Sequence, residues 1–351
     1  MPAPAWFRPD SRILVIRLSA VGDVINTLPA LCAIRHSYPR AFVGWIVEDR
    51  AYDLIRGHPA IDRVHLFPRR RWVHAPWRAP AEAAALIREI RRERYDVAVD
   101  LQGNLKGAVH GLASGIRRRV GFSREHCREW NHLFTNVHVT PPDERINRVD
   151  KFLAVAAFLG ADVNGAAYRL PEAPESRVRA DEFLAREGLR GYVVLHPGTS
   201  EVGREKRWLP ERFSALAERI GAGLGLRAVV TWGPGERELA AEVAAGGRGH
   251  AVLSMPTRSI LDLAELIRRA RLFVGCDSGP LHLASAVGTP SVGLFGPKDP
   301  TIYGPYNPFH RIVYKPGDHG GAMESITVDE AYRAAAELLS QTAHQKWTVH
   351  F

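Results

Sequence analysis

The run Ile13-Leu14-Val15-Ile16 contains no polar position, and no other feature constrains the fold of this chain as tightly. A strand with one wet face alternates apolar and polar residues. An unbroken apolar strand has to be covered on both faces, which a parallel sheet flanked by helices achieves. The pattern recurs along the chain. Strand-like runs follow at Phe42–Val47, Val64–Phe67 and Asp96–Leu101, with helical stripes over Val24–Ser37 and Ala81–Arg94. In the second half, strands are expected at Tyr192–Leu195, Ala228–Trp232, Leu272–Gly275 and Ser291–Phe295. Helices are expected over Pro210–Leu224, Glu236–Ala245, Ile260–Ala270 and Pro280–Val287.

Strands alternating with helices in both halves imply two α/β domains with parallel sheets. The length of 351 residues suits two domains, at about 150 residues each. Leu170–Ser176, with two prolines and no apolar period, reads as the linker. The expected division is therefore 1–170 and 177–325, with a C-terminal helix and tail over 326–351 packing back on the first domain. Ligands of such sheets bind at the carboxyl ends of the strands, so the residues just after each strand are the candidates for chemistry.

Charge separates the halves. Residues 1–150 hold 24 Lys/Arg against 16 Asp/Glu, whereas residues 151–351 hold 23 against 22. A basic first half points to an anionic partner. Nucleic acid is disfavoured, because the arginines are interleaved with acids and no aromatic stacking series or DNA-reading motif accompanies them. A module binding an anionic surface remains the alternative from a different class. Cys32, Cys127 and Cys276 lie far apart without C-x-x-C spacing, which speaks against a zinc ribbon or a disulfide scaffold. No stretch approaches the ~20 apolar residues of a membrane span, and the expected location is cytoplasmic. A dehydrogenase is disfavoured, since no G-x-G-x-x-G opens a helix after a strand.

Four strand-end motifs carry chemical potential. In Arg17-Leu-Ser-Ala-Val-Gly-Asp23, a small-residue loop leads to an aspartate at a helix start. Asp23 is either a helix cap or a carboxylate available as a general base. In Gly275-Cys-Asp-Ser-Gly-Pro-Leu-His282, a strand runs into Asp277, Ser278 and Gly279 ahead of a helix whose free N–H groups suit phosphate, with His282 one turn along. His196-Pro-Gly-Thr-Ser200 offers the hydroxyls of Thr199 and Ser200, and the basic run that follows offers Lys206 as a point charge. Thr231-Trp-Gly-Pro-Gly-Glu236 ends in an acid that can accept ribose hydroxyls or serve as a helix N-terminal acid. Basic clusters at Arg69–Arg71, Arg117–Arg119 and Arg124 with Arg128 complete the set, each open to the reading of a solvated face.

Taken in order, these motifs resemble glycosyltransferase family 9, the heptosyltransferases of lipopolysaccharide inner-core synthesis. The resemblance runs from Arg17–Leu31 through Gly44–Glu48, Arg70–Trp72, Tyr95–Gly103 with Lys106, Lys206–Trp208 and Asp277–Gly279 with His282 to Phe295–Pro300. It is nearest to the heptosyltransferase I branch, with heptosyltransferase II or another donor or acceptor as the alternative. The resemblance implies a GT-B fold: two Rossmann-like parallel-sheet domains facing a cleft. It further implies an inverting transfer of heptose from ADP-L-glycero-D-manno-heptose to the Kdo of the lipopolysaccharide inner core, by an enzyme peripheral to the inner membrane. Asp23 then matches the general base, Lys206 the lysine on the diphosphate and Glu236 the acid on the ribose. Thr199, Ser200, Asp277, Ser278, Gly279 and His282 match the donor site. Arg70, Arg71, Arg124 and Lys106 match positions toward the acidic acceptor. No cofactor is expected and, with no D-x-D triplet in the chain, no metal.

Overall fold

In the first half, strands and helices alternate as β1 (Arg12–Ile16), α1 (Val21–Ser37), β2 (Phe42–Glu48), β3 (Arg63–Phe67), α2 (Arg69–His74) and α3 (Ala79–Arg92). They continue as β4 (Val97–Asp100), α4 (Leu105–Ala113), β5 (Arg118–Phe122), β6 (Val137–Val139) and α5 (Arg148–Phe158). The second half starts with α6 (Pro174–Arg186), β7 (Tyr192–His196), α7 (Pro210–Leu224), β8 (Arg227–Val230), α8 (Arg237–Gly246), β9 (Ala251–Leu253) and α9 (Ile260–Arg268). It closes with β10 (Leu272–Cys276), α10 (Gly279–Ala286), β11 (Ser291–Phe295), α11 (Pro300–Tyr303), β12 (His310–Tyr314), α12 (Gly321–Glu324) and α13 (Val328–Thr342). These elements come from a computed structural model, which describes residues 2–317 and 321–342.

Each half forms one six-stranded, all-parallel sheet, ordered β3-β2-β1-β4-β5-β6 in the first and β12-β11-β10-β7-β8-β9 in the second. The two orders are the same topology, the doubly wound order of a dinucleotide-binding sheet. In each, the chain reverses direction between the first strand and its fourth-numbered neighbour: between β1 and β4, and between β7 and β10. Loops diverge at that point and leave a crevice at the carboxyl ends.

The apolar β1 run is wholly buried. Leu14 and Ile16 join Leu86 and Ile90 of α3 in one core cluster, and Ile16 also lies under α4. In the second unit, Trp208, Phe213 and Leu216 pack with Val193, Leu195, Val274 and Leu294. Among the described residues, no helix is long and apolar enough to cross a membrane.

Two expectations change. The chain divides into Met1–Glu172 and Ala173–Phe351. The second part of the expected linker is the first turn of α6, where Pro174 at N1 fits because its missing N–H has no helical partner there. The C-terminal helix was expected to pack back on the first domain. Instead α13 buries Ala331, Ala335 and Leu338 in the core of the second unit, because these residues share one helical face that β10, β11 and α7 cover. The tail over 343–351 lies outside the described residues.

Candidate active site

In the first unit the crevice is built around Arg17, the residue that ends the apolar run. Its side chain is only 2% exposed. One guanidinium nitrogen donates to the Leu101 carbonyl at 2.5 Å, and another forms an ion pair with Asp23. Ala20 occupies the N-cap position of α1 and offers no side-chain hydrogen bond, and Asp23 lies in the first turn of that helix. The Asp23 carboxylate also lies 4.0 Å from Arg148 Nε at the start of α5. Burial pulls the Arg17 pKa down, and the nearby Asp23 charge opposes that shift.

The loops after β1 and β4 are laced together. Gln102 Oε1 accepts from the Leu18 and Ser19 amides at 2.9 and 3.2 Å. Asp100, wholly buried at the end of β4, accepts from the Gln102 and Gly103 amides at 2.9 and 3.1 Å and from Asn131 Nδ2 at 2.7 Å. Burial outweighs these donors and pushes the Asp100 pKa up to about 6. The folded state thus takes up a proton before the unfolded chain does, and the stability from protonated Asp100 is lost as pH rises from about 4 through about 6. We expect the gap in unfolding free energy between wild type and Asp100→Asn to change across that window, by roughly 3 kcal/mol at most, and to be flat above it. Denaturant unfolding between pH 4 and 8 measures this; a gap independent of pH excludes the assignment.

The residues expected to meet the acceptor occupy different settings. Lys106 is an ion-pair partner of Glu48, which is buried and also lies 3.5 Å from Arg69. Burial holds the Lys106 pKa below its usual value. Arg70 and Arg71 are exposed on α2; Arg71 lies 3.5 Å from Glu82, and the Arg70 amide donates to Asp49 at 2.8 Å. Arg124 is exposed in a short turn after β5. Because β3 and β5 stand four strand spacings apart, about 19 Å, these arginines flank the crevice instead of converging on one point. The sequence reading missed Arg148 and Lys151. They open α5 behind the Asn147 cap, in a stretch that reads like any charged helix start. Lys151 donates to the His126 carbonyl at 2.5 Å, and burial, reinforced by Arg148, Arg17 and Arg128, pushes its pKa down to about 8.

In the second unit, the end of β7 and the end of β10 meet. Lys206 donates to the Asp277 carbonyl at 2.8 Å and to its carboxylate at 3.1 Å, joining the two predicted motifs. Ser278 holds the N-cap position of α10, yet its buried hydroxyl makes no hydrogen bond among the described residues. That hydroxyl and the leading amides of α10 are donors suited to a phosphate. His282 Nε2 lies 3.9 Å from Asp277. Cys276 lies wholly buried just ahead of this turn, and burial pushes its thiol up to about 12, which leaves it inert as a nucleophile.

Glu236 sits against the other side of the β7 turn. Its carboxylate accepts from the Gly233 amide at 3.0 Å, lies 3.5 Å from Arg207 and 3.9 Å from His196. It occupies the N-cap position of α8 without capping it. A Cβ on Gly198 would stand 2.1 Å from the Glu236 carboxylate, so only glycine lets the acid approach this backbone. Burial raises the Glu236 pKa and pushes that of His196 down to about 4, so His196 is neutral near pH 7 and bonds Thr231 Oγ1 at 3.0 Å. Thr199 serves the turn itself: its hydroxyl donates to the Gly203 carbonyl at 2.8 Å and accepts from Arg207 at 3.1 Å. Ser200 is exposed beside it. Arg207, which the sequence reading left within a basic run, thus braces both Thr199 and Glu236.

Comparison with known proteins returns a consistent answer. The profile of Glycosyltransferase family 9 (heptosyltransferase) matches residues 83–324. A lipopolysaccharide heptosyltransferase 1 of Pseudomonas aeruginosa is 31% identical, over 84% of this chain and 81% of its own. The protein of that name from Escherichia coli is 29% identical over 88% and 95%. The solved structure of the Escherichia coli heptosyltransferase WaaC with ADP superposes with a TM-score of 0.74 at 26% identity, covering 93% of this chain and 99% of the other.

Proposed function

Because the chain belongs to glycosyltransferase family 9, the heptosyltransferases of lipopolysaccharide core synthesis, we propose that it is the heptosyltransferase I-type enzyme, moving heptose from ADP-L-glycero-D-manno-heptose onto the inner-core Kdo carried on lipid A. The observation that carries this reading is the content of the two switch points. One holds a carboxylate, Asp23, gripped by Arg17; the other holds a lysine, Lys206, beside a helix start with an unpartnered hydroxyl, Ser278. An inverting displacement needs a base on the attacking hydroxyl and positive charge on the departing diphosphate.

In this mechanism Asp23 takes the proton of the acceptor hydroxyl as that oxygen attacks the anomeric carbon. The bond to the diphosphate oxygen breaks on the opposite face, and the configuration inverts. Lys206, the Ser278 hydroxyl and the Gly279 amide receive the developing charge on ADP, which a helix start stabilises in the same sense. Glu236 accepts the ribose hydroxyls, and Asp277 and His282 orient the turn. Arg70, Arg71, Arg124 and Lys106 face the acidic acceptor across the first crevice. With positive charge supplied by the Lys206 ammonium and N–H dipoles by the start of α10, the proposed reaction requires no metal.

Mass spectrometry of Kdo-lipid A incubated with ADP-heptose and the protein tests this. The expected product carries one added heptose, and its yield is unchanged in EDTA. Transfer only to an acceptor that already bears heptose would reassign the chain to a later step of the core. Loss of turnover in EDTA, restored by a divalent ion, would remove the metal-free mechanism.

A further inference from the structure

Helix α4 is built inside out. Its buried positions are Gly107, Ala108 and Gly111. A Cβ on Gly107 would stand 2.6 Å from the Asp100 carboxylate, and one on Gly111 would stand 3.3 Å from Ile16, so the small face is what lets the helix lie against β4 and β1. The large apolar residues, Leu105, Val109 and Leu112, follow a helical i, i+4, i+7 spacing and are 42%, 47% and 48% exposed. A surface helix ordinarily turns such a stripe toward its own core.

The apolar surface continues on either side of this helix. The Phe67 ring meets Trp72 of α2 and His110 of α4 edge-on, with centroids 4.5 and 5.1 Å apart, which ties α4 to the segment carrying exposed Val73 and Trp77. The Leu105 amide donates to Glu129 at 3.3 Å and the Asn131 side chain to the Asn104 carbonyl at 2.9 Å, which ties α4 to exposed Trp130 and Leu133. The α2 flank is basic, with Arg69, Arg70, Arg71 and Arg78 exposed around Glu82, whereas on the other flank Arg124 and Arg128 are matched by exposed Glu125 and Glu129.

The geometry points to an anionic lipid bilayer as the partner of this face. Leu105, Val109 and Leu112 enter the boundary between headgroups and acyl chains, the indoles of Trp77 and Trp130 sit at headgroup level, and Arg69 and Arg78 of the α2 flank meet lipid phosphates. Charge complementarity selects this occupant, since the excess of Arg69, Arg70, Arg71 and Arg78 over acids on the α2 flank matches an anionic surface bordering the apolar stripe. The inference deepens the function proposed above, and rests on it in that a lipid-borne acceptor brings the enzyme to a membrane.

Vesicle co-sedimentation of the full chain tests it, with phosphatidylglycerol–phosphatidylethanolamine vesicles free of acceptor set against phosphatidylcholine vesicles. The wild type should partition onto the anionic vesicles, and the combined Leu105→Gln, Val109→Thr, Leu112→Gln variant should lose about tenfold or more of that partition. Heptose transfer to a deacylated, water-soluble acceptor should be the same in both, which shows that the variant folds. Should the variant not fold, brominated acyl chains should quench wild-type tryptophan fluorescence, and Trp77→Phe with Trp130→Phe should remove most of the quenching. Equal partition of variant and wild type, or no partition of the wild type, overturns the inference. A dimer abolished by the same substitutions also overturns it, and gives the face to a second copy. Absence of transfer by the wild type to the soluble acceptor strikes instead at the proposed function and leaves the vesicle result standing.

Discussion

Replacing Asp23 with alanine should lower kcat by about 10²- to 10⁴-fold, the range of a lost general base, while ADP affinity stays within a factor of about two. Affinity is preserved because Asp23 belongs to the first unit, whereas the residues proposed to hold the donor lie in the second. The alanine variant carries a complication in its folding. Asp23 is the ion-pair partner of Arg17, and removing one member of a buried pair leaves the other without compensation. Arg17 keeps its hydrogen bond to the Leu101 carbonyl, and the Asp23 side chain is partly open to water, which softens the loss. Asp23→Asn resolves the ambiguity, since its amide oxygen still accepts from Arg17 but is no base. We expect the asparagine variant to melt within a few degrees of wild type and to lose turnover as the alanine variant does. Single-turnover rates alongside ADP titration calorimetry measure both quantities; near-normal turnover by Asp23→Asn would remove the base assignment.

The second large effect falls on Lys206. Lys206→Ala should reduce kcat/KM by about 10²- to 10³-fold, as for removal of one transition-state donor, and it should weaken ADP binding as well. The distinction from Asp23 is physical: the charge on the diphosphate exists in the bound donor and grows as the bond breaks, so its cation acts in both states. Lys206 already spends its donors on the Asp277 carbonyl and carboxylate. Asp277→Asn therefore releases the lysine from its counter-charge, and should weaken binding less than Lys206→Ala does. Lys206→Arg should rescue poorly, because a planar fork does not fit a site shaped for a compact ammonium. If Lys206→Ala binds ADP as tightly as wild type, the lysine does not touch the diphosphate.

Much of the fold was legible in local pattern. Apolar runs such as Ile13–Ile16 and Tyr192–Leu195 can be strands only where both faces are covered, so the parallel sheets followed from composition along the chain. Other elements were hidden for particular reasons. The α4 segment contains Gly107 and Gly111, poor helix formers that a propensity reading discards, and they are tolerated because close packing on β4 and β1 requires them. The expected linker held the start of α6 because proline breaks a helix only in its interior.

Within the candidate site, residue types were readable and partnerships were not. Sequence alone singled out Asp23, Lys206, Asp277 and Glu236, since each follows a strand end and is of a type that such chemistry uses. It also marked the first half as the basic one. Tertiary structure decided what each group is paired with: Asp23 with Arg17, Lys106 with Glu48, Lys206 with Asp277 across 71 positions, and Arg207 braced between Thr199 and Glu236. It also decided that the apolar stripe of α4 faces outward. The reason is one of range. Strand and helix periods are written into neighbouring residues, whereas charge pairing and burial depend on which strand ends a doubly wound sheet places side by side.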